Sequence, residues 1–363
     1  MKYLPAILHA AALIIALCVQ TMTTPLAGAW LFFYTCACCI MYTPPKEKDL
    51  LWCTALAWLF AVGLSAFILA PVPNGAATMW ILAALPMLAL SMREENLHSY
   101  CVATLIVLTG YALLLIGEML LHTQYTFYSV AIRSQDRLAA SWPLLDPNNA
   151  GCIMNFGLIP CFYLGLRNPK WFALVGIFAF ALFATASRTA CFCGALSCLI
   201  LVFEFCPVAM AILPVAGFIL LIDFPHSIFH DPSLLIRFAI WKISAQLLTI
   251  HPLTGLGLGT FWGYYNQLRI ESDTYGSYAH NDVLQVAVEC GIPIAVVFSV
   301  LIVSYLAMTR RCNIASGCVI ISVFLHSLME FQFYLPSLSI LAGTAFAYHR
   351  INRPRSGESG DDA

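Results

Sequence analysis

Long apolar stretches separated by short polar breaks run along almost the whole chain. Each is close to the length of a membrane-crossing helix, for which roughly 20 apolar residues suffice. The pattern predicts twelve spans, near residues 5–21, 25–43, 50–71, 77–92, 99–121, 148–166, 171–186, 189–205, 208–222, 283–307, 314–328 and 333–349. Most junctions are tight, as in Pro71-Val-Pro-Asn-Gly75 and Pro44-Pro-Lys-Glu-Lys-Asp49, where proline and glycine break the helix. Only two polar segments are long, 122–147 and 223–282, and the alternation of spans puts both on one face. The fold class expected is all-α: a single polytopic helical membrane domain over 1–355, with about twelve transmembrane helices. A short solvated tail follows at 356–363.

Composition agrees. Hydrophobic residues make up 61% of the chain, charged residues 10%, and the mean hydropathy is +0.84, which does not make a water-facing surface. The first apolar run, with Ala27-Gly28-Ala29 after it, has some look of a cleaved leader. That small-residue site lies inside the next apolar run, however, so the first span is expected to stay. The fifteen cysteines avoid the two long loops, and Cys36, Cys38, Cys39, Cys191, Cys193 and Cys198 fall at or inside helices. There a thiol behaves as a small apolar group, and the spacing fits no zinc pattern.

Charge gives an orientation, because lysine and arginine collect in short cytoplasmic loops. With the amino terminus inside, eleven of the seventeen basic residues fall on the cytoplasmic side, and so does the carboxyl terminus. The six on the other side are Arg133, Arg137, Arg188, Arg237, Lys242 and Arg269, and each of these needs a reason. A net charge of −1 leaves no basic footprint for nucleic acid.

The polar residues gather between Arg237 and Gly291. A short helix expected at 232–249 puts Arg237 and Trp241 four apart on one face, and the chain then turns at His251-Pro252. Gly255-Leu-Gly-Leu-Gly259 fits no phosphate-loop spacing and lacks a strand-turn-helix context, so its glycines are expected to let backbone pack closely. His280-Asn281, directly before an apolar span, places an imidazole at the membrane boundary, where it is suited to general-base work. Arg188, in the minimal turn Ser187-Arg188-Thr189, sits close to hydrocarbon and is costly there without a partner or a substrate anion. Arginine suits a diphosphate through its planar paired donors; a buried pair with Asp146, Asp223 or Glu289 is the alternative. In the first loop, Tyr125, Tyr128, Arg133, Asp136, Arg137 and Trp142 suit an interfacial amphipathic helix or headgroup anchor over 125–140. Glu330, in His326-Ser-Leu-Met-Glu330, reads as a structural polar contact.

These residues resemble a family. Arg237-Phe-Ala-Ile-Trp241, His251-Pro-Leu-Thr-Gly-Leu-Gly-Leu-Gly-Thr-Phe261, Ala279-His280-Asn281-Asp-Val-Leu-Gln285 and Glu289-Cys-Gly291 are similar to motifs of the O-antigen ligase and Wzy-type polymerase superfamily. Ser187-Arg188 and Asp146-Pro-Asn-Asn149 sit where that superfamily has short motifs of the same kind. The resemblance covers roughly residues 50–350 and is most specific in the second half. It implies a GT-C-like helical glycosyltransferase of the bacterial inner membrane. The reaction implied is transfer of a glycan from an undecaprenyl-diphosphate donor to an acceptor on the periplasmic side, with inversion and with no nucleotide, metal or other cofactor.

In that scheme His280 takes the acceptor proton, while Arg188 and Arg237 hold the diphosphate. Asn281 or Asp282 orients the imidazole. Trp241, Glu289, Arg133 and Arg137 support the site, Arg269 assists with anions, and Trp241, Tyr264 and Tyr265 stack on sugars. Protein-glycosylating relatives often carry an extra carboxyl-terminal region absent here, which favours lipid A-core as acceptor. Polysaccharide polymerisation and protein glycosylation remain open within the family. A transporter is the alternative from another class, although transporters usually bury ionisable groups near the bilayer midplane.

Overall fold

A computed structural model gives the fold and describes residues 4–18, 31, 34–36, 50–72, 75–92, 94–121, 140–144, 146–205, 232–269, 278–307 and 314–351. Among these the regular structure is entirely helical. The long helices are α1 (Leu4–Cys18), α2 (Leu50–Leu64, ending in the π-turn Ser65–Leu69), α3 (Gly75–Ser91), α4 (Glu94–Leu120), α5 (Pro147–Arg167), α6 (Phe172–Ala184) and α7 (Arg188–Phe205). They are followed by α8 (Pro232–Leu248), α9 (Phe261–Leu268), α10 (Asp282–Cys290), α11 (Ile292–Ala307), α12 (Ile314–Ser327) and α13 (Pro336–Ile351). The expected spans 25–43 and 208–222 lie mostly or wholly outside the described residues, as do Arg133, Arg137 and nearly all of the expected amphipathic stretch.

Among the described residues two helices, spanning Glu95–Leu120 and Pro147–Arg167, are long and apolar enough to cross a membrane alone; six other apolar helices there are shorter. Large apolar side chains are exposed along the bundle, among them Ile7, Phe60, Ile106, Phe183, Val296 and Val303. A soluble protein rarely leaves so many uncovered, whereas lipid tails cover them at no cost. The interior is close-packed: α3 lies on α13, α5 on α6 and α7, α1 on α4, α2 on α11, and α12 on α7 and α5. Where α5, α7 and α12 meet, polar contacts replace hydrophobic ones. Asn155 donates to Ala190 O at 3.0 Å and to Ser322 Oγ at 3.2 Å, and Ser197 donates to Cys318 O at 3.1 Å. Such bonds join helices where no water competes.

The expected span at 283–307 is not one helix. Gly291 has φ +90°, and a Cβ there would lie 2.3 Å from Leu253 O. Ile292 N donates to Pro252 O at 2.8 Å, so the chain stops one helix at Cys290 and starts another at once. The nine residues of α10 carry Asp282, Gln285 and Glu289 to the polar end, while Val286, Ala287 and Cys290 stay in the core of the bundle.

That end has its own small core: Ile240, Ile243 and Leu247 of α8, Leu256 of the glycine segment, Phe261 and Tyr265 of α9, and Val288 of α10. The glycine segment straps it to the bundle. Leu256 N and Gly257 N donate to Val288 O and Glu289 O at 3.0 and 2.9 Å, like a short strand laid against the end of α10. Gly255, Gly257 and Gly259 all have positive φ, and a Cβ on Gly255 would lie 2.3 Å from the Glu289 backbone. The close-packing role expected for these glycines is what the geometry displays.

Candidate functional site

The helix ends that alternation assigns to one face meet at one end of the bundle. α5 begins there because Asp146 caps it, accepting from Asn148 N and Asn149 N at 2.8 and 3.2 Å, with Pro147 at the first helical position. α10 begins there because Asn281 caps it, accepting from Leu284 N at 3.0 Å. α12 ends there, and the turn 328–335 carries Glu330 back beneath both caps.

Glu330 is fully buried and is the hub. Its Oε1 accepts from Asn148 Nδ2 at 2.7 Å and pairs with the Arg237 guanidinium, while its Oε2 lies 2.7 Å from His280 Nδ1. Arg237 also donates Nε to Met329 O at 3.0 Å. Side-chain exposure is 11% for Arg237, 26% for His280 and 0% for Glu330, so the carboxylate is roofed by its two partners. Burial by itself raises the Glu330 carboxyl, but His280, Arg237 and His326 outweigh it and hold the group down at about 2. Asp146 goes the other way: burial and the nearby Glu330 charge push it to about 6, against the pull of the Asn149 and Asn148 amides and of His280.

The backbone around His280 is clamped. Ala279 N donates to Gln285 Oε1 at 2.6 Å, and Ala279 O accepts from Trp241 Nε1 at 2.9 Å. His280 itself has φ +49°, a left-handed conformation that side chains other than glycine rarely adopt. Its ring stands edge-on to Phe331, with centroids 5.3 Å apart. Ala186, just before Ser187-Arg188, has φ +51°. Ser187 donates Oγ to Asn148 Oδ1 at 2.8 Å, which ties the turn carrying Arg188 to the same network. Arg188 opens α7 and is exposed.

The structure therefore joins His280, Arg237, Asn148 and Ser187 through Glu330 and sets Arg188 beside them. Neither Asn281 nor Asp282 holds the imidazole. Asn281 donates to Leu328 O at 3.2 Å, and Asp282 accepts from Phe333 N at 3.1 Å. Nor does Arg237 pair with Asp146 or Glu289 as the alternative reading had it; Asp223 lies outside the described residues. Glu289 forms a separate buried node with Gln285 Nε2, Tyr334 OH and Phe261 N, at 3.0, 3.0 and 3.2 Å. Tyr265 is wholly buried in the small core, unavailable to a sugar, while Tyr264 is exposed. Arg269 ends α9.

Glu330, left out of the candidate site by sequence reasoning, did leave a signal: a lone carboxylate at the end of an apolar span is expensive unless paired. Alternation put it on the face of the unexplained cations. A cavity of about 400 Å³ lined by His98, Thr104, Phe156, Tyr163, Trp171 and Tyr348 lies at the other end of the bundle and is mostly apolar. It has no part in this cluster.

Among the described residues, fold and site together are those of a helical bundle with a lipid-compatible apolar surface and a charged cluster at one end. Residues 170–299, from the turn before α6 into α11, match the family model described as O-antigen ligase. Over that segment the chain is similar to the O-antigen ligase family, whose members are glycosyltransferase-like membrane enzymes. The matched segment holds Arg188, Arg237, Trp241, His280 and Glu289, and leaves Asn148 and Glu330 on either side of it. No curated protein matches the chain.

Proposed function

We propose that the chain is an O-antigen ligase: a glycosyltransferase that moves a glycan from undecaprenyl diphosphate to a hydroxyl of lipid A-core at the periplasmic face of the inner membrane. The observation that carries the reading is the single charged node of His280, Glu330 and Arg237 at the end of an apolar bundle, two of whose members lie in the family-matched segment.

The chemistry runs as one displacement. His280 takes the proton of the acceptor hydroxyl as its oxygen attacks the anomeric carbon, the bond from that carbon to the diphosphate oxygen breaks, and the new glycosidic bond has inverted configuration. General-base assistance of this kind is worth about 10² to 10⁴ in rate. The departing diphosphate gains charge, which Arg188 and Arg237 stabilise. Arg237 meets the donor in competition with Glu330, and exposed Arg188 meets it from the adjacent turn. No metal is needed for this step, because the donor arrives activated and the cations are supplied by side chains.

The test is the lipopolysaccharide of a deletion strain. Core free of glycan, with lipid-linked glycan accumulating, is the expected result. Core bearing a single repeat would instead identify a polymerase, and unchanged surface glycan with altered solute uptake would overturn both readings in favour of a transporter.

A further inference from the structure

We propose, resting on His280 as the base, that Glu330 is its positioning residue: the carboxylate fixes the imidazole through Nδ1 and so presents a bare Nε2 to the acceptor hydroxyl.

The geometry argues for it from both oxygens. Oε2 lies 2.7 Å from His280 Nδ1, while Oε1 is pinned by Asn148 Nδ2 and by Arg237, so the carboxylate cannot rotate away from the ring. Asn148 is held in turn by Ser187 Oγ, and Arg237 by Met329 O. A carboxylate accepts hydrogen bonds and donates none, and the Arg237 guanidinium and Asn148 amide favour the ionised form of Glu330 whatever the charge on the ring, so the proton between the two groups belongs to Nδ1. In the neutral ring the lone pair is then on Nε2. As Nε2 gains the acceptor proton, the imidazolium forms against a negative charge already in place. Among the described residues, the other charged or titratable groups facing this pair are Arg237 from α8, Asp146 at the cap of α5, Cys152 within α5, Asp282 at the start of α10 and His326 from α12.

The experiment uses purified full-length protein in lipid nanodiscs, with an undecaprenyl-diphosphate glycan donor and a lipid A-core acceptor. Turnover is followed from pH 5 to 9 for wild type, Glu330→Gln, Glu330→Asp and His280→Ala. Glu330→Gln is expected to lower kcat by about 10²-fold or more, as loss of a histidine-orienting carboxylate does elsewhere. KM for the acceptor should change little, and the acidic limb of the pH–rate profile should move to lower pH. Glu330→Asp should restore part of the rate and return the limb towards wild type. An unmoved profile, with the rate loss tracking a lower melting temperature, would overturn the positioning role.

The two readings fail separately. Wild-type turnover in His280→Ala removes the base itself, whereas a dead His280→Ala beside a fully active Glu330→Gln removes only Glu330. Should Glu330→Gln not fold, the wild type decides. ¹⁵N-histidine NMR, with His280 assigned by difference from His280→Ala, should report a protonated Nδ1 and a bare Nε2. The opposite tautomer overturns the proposal.

Discussion

Asn148 and Glu330 stand 182 residues apart in sequence, yet the Asn148 amide donates to the Glu330 carboxylate at 2.7 Å. The same amide accepts from Ser187 at 2.8 Å, so one side chain joins the start of α5, the turn before α7 and the hub of the cluster. Asn148→Ala removes both bonds and leaves a buried carboxylate short of a donor. The expected cost is about 1–3 kcal/mol in stability. Asn148→Asp should cost more at neutral pH, because two adjacent carboxylates cannot both ionise cheaply, and its deficit should shrink as pH falls. Melting curves of both variants at pH 5 and 7.5 check this; equal deficits at the two pH values would contradict it.

Gly255 and Gly263 make a matched pair for testing the strap. A methyl on Gly255 would meet the Glu289 backbone at 2.3 Å in a positive-φ conformation, whereas Gly263, inside α9, has nothing within 4 Å. Gly255→Ala should detach the glycine segment from α10, with a loss of folded protein and activity. Gly263→Ala should stabilise α9 by about 0.5–1 kcal/mol, the ordinary helix-propensity gain. Melting temperatures in detergent should move in opposite directions, and a neutral Gly255→Ala would show that the strap does not need that close approach.

Helix positions were legible at several of the apolar windows: 171–186 against Phe172–Ala184 and 314–328 against Ile314–Ser327 differ by two residues or fewer. The break at Gly291 was masked. Val283, Leu284, Val286, Ala287 and Val288 read as a continuation of the apolar run, which hid the local stop signal Gly291-Ile292-Pro293; Leu253 packs against that turn. The site divides the same way. Arg188, Arg237 and His280 stood out because polar groups are rare in this chain, but the carboxylate that joins the last two lies 93 residues from Arg237 and 50 from His280. Pairing at that range is set by helix packing. Asp146, weighed as a partner for arginine, spends its carboxylate on capping α5.

Asp146 should give stability a pH dependence of unusual sign. Its carboxyl rises from 3.8 in the open chain to about 6 when folded. A group raised on folding favours the native state when protonated in both states, so its contribution is full below pH 3.8 and is lost as pH climbs through about 6. Glu330, lowered from 4.5 to about 2, contributes fully above pH 4.5 and loses that contribution only as pH falls towards 2. Between pH 4.5 and 6 the Asp146 effect therefore acts alone of the two, and stability should decline as pH rises. Asp146→Asn, which keeps a capping oxygen, should flatten that slope in a melting series across the window. An unchanged slope would assign it to other groups.

Arg188 and Arg237 should separate by stability rather than by activity. Arg237 pairs with a fully buried carboxylate, so Arg237→Ala strands that charge, a loss of about 3–5 kcal/mol in comparable buried pairs. Arg188 is exposed at the start of α7, and Arg188→Ala should lower the melting temperature less than Arg237→Ala does. On the proposed reaction both variants lose a charge-assisted contact to the diphosphate, so kcat/KM for the donor should fall roughly 10- to 100-fold in each. The KM for the acceptor should stay near wild type. Arg237→Lys restores the charge but not the paired geometry, and should recover stability more than donor use. Steady-state kinetics with donor and acceptor varied in turn, beside melting curves, decide it: an Arg188→Ala enzyme with unchanged donor kinetics would remove that residue from the diphosphate site and leave Arg237 to carry the charge alone.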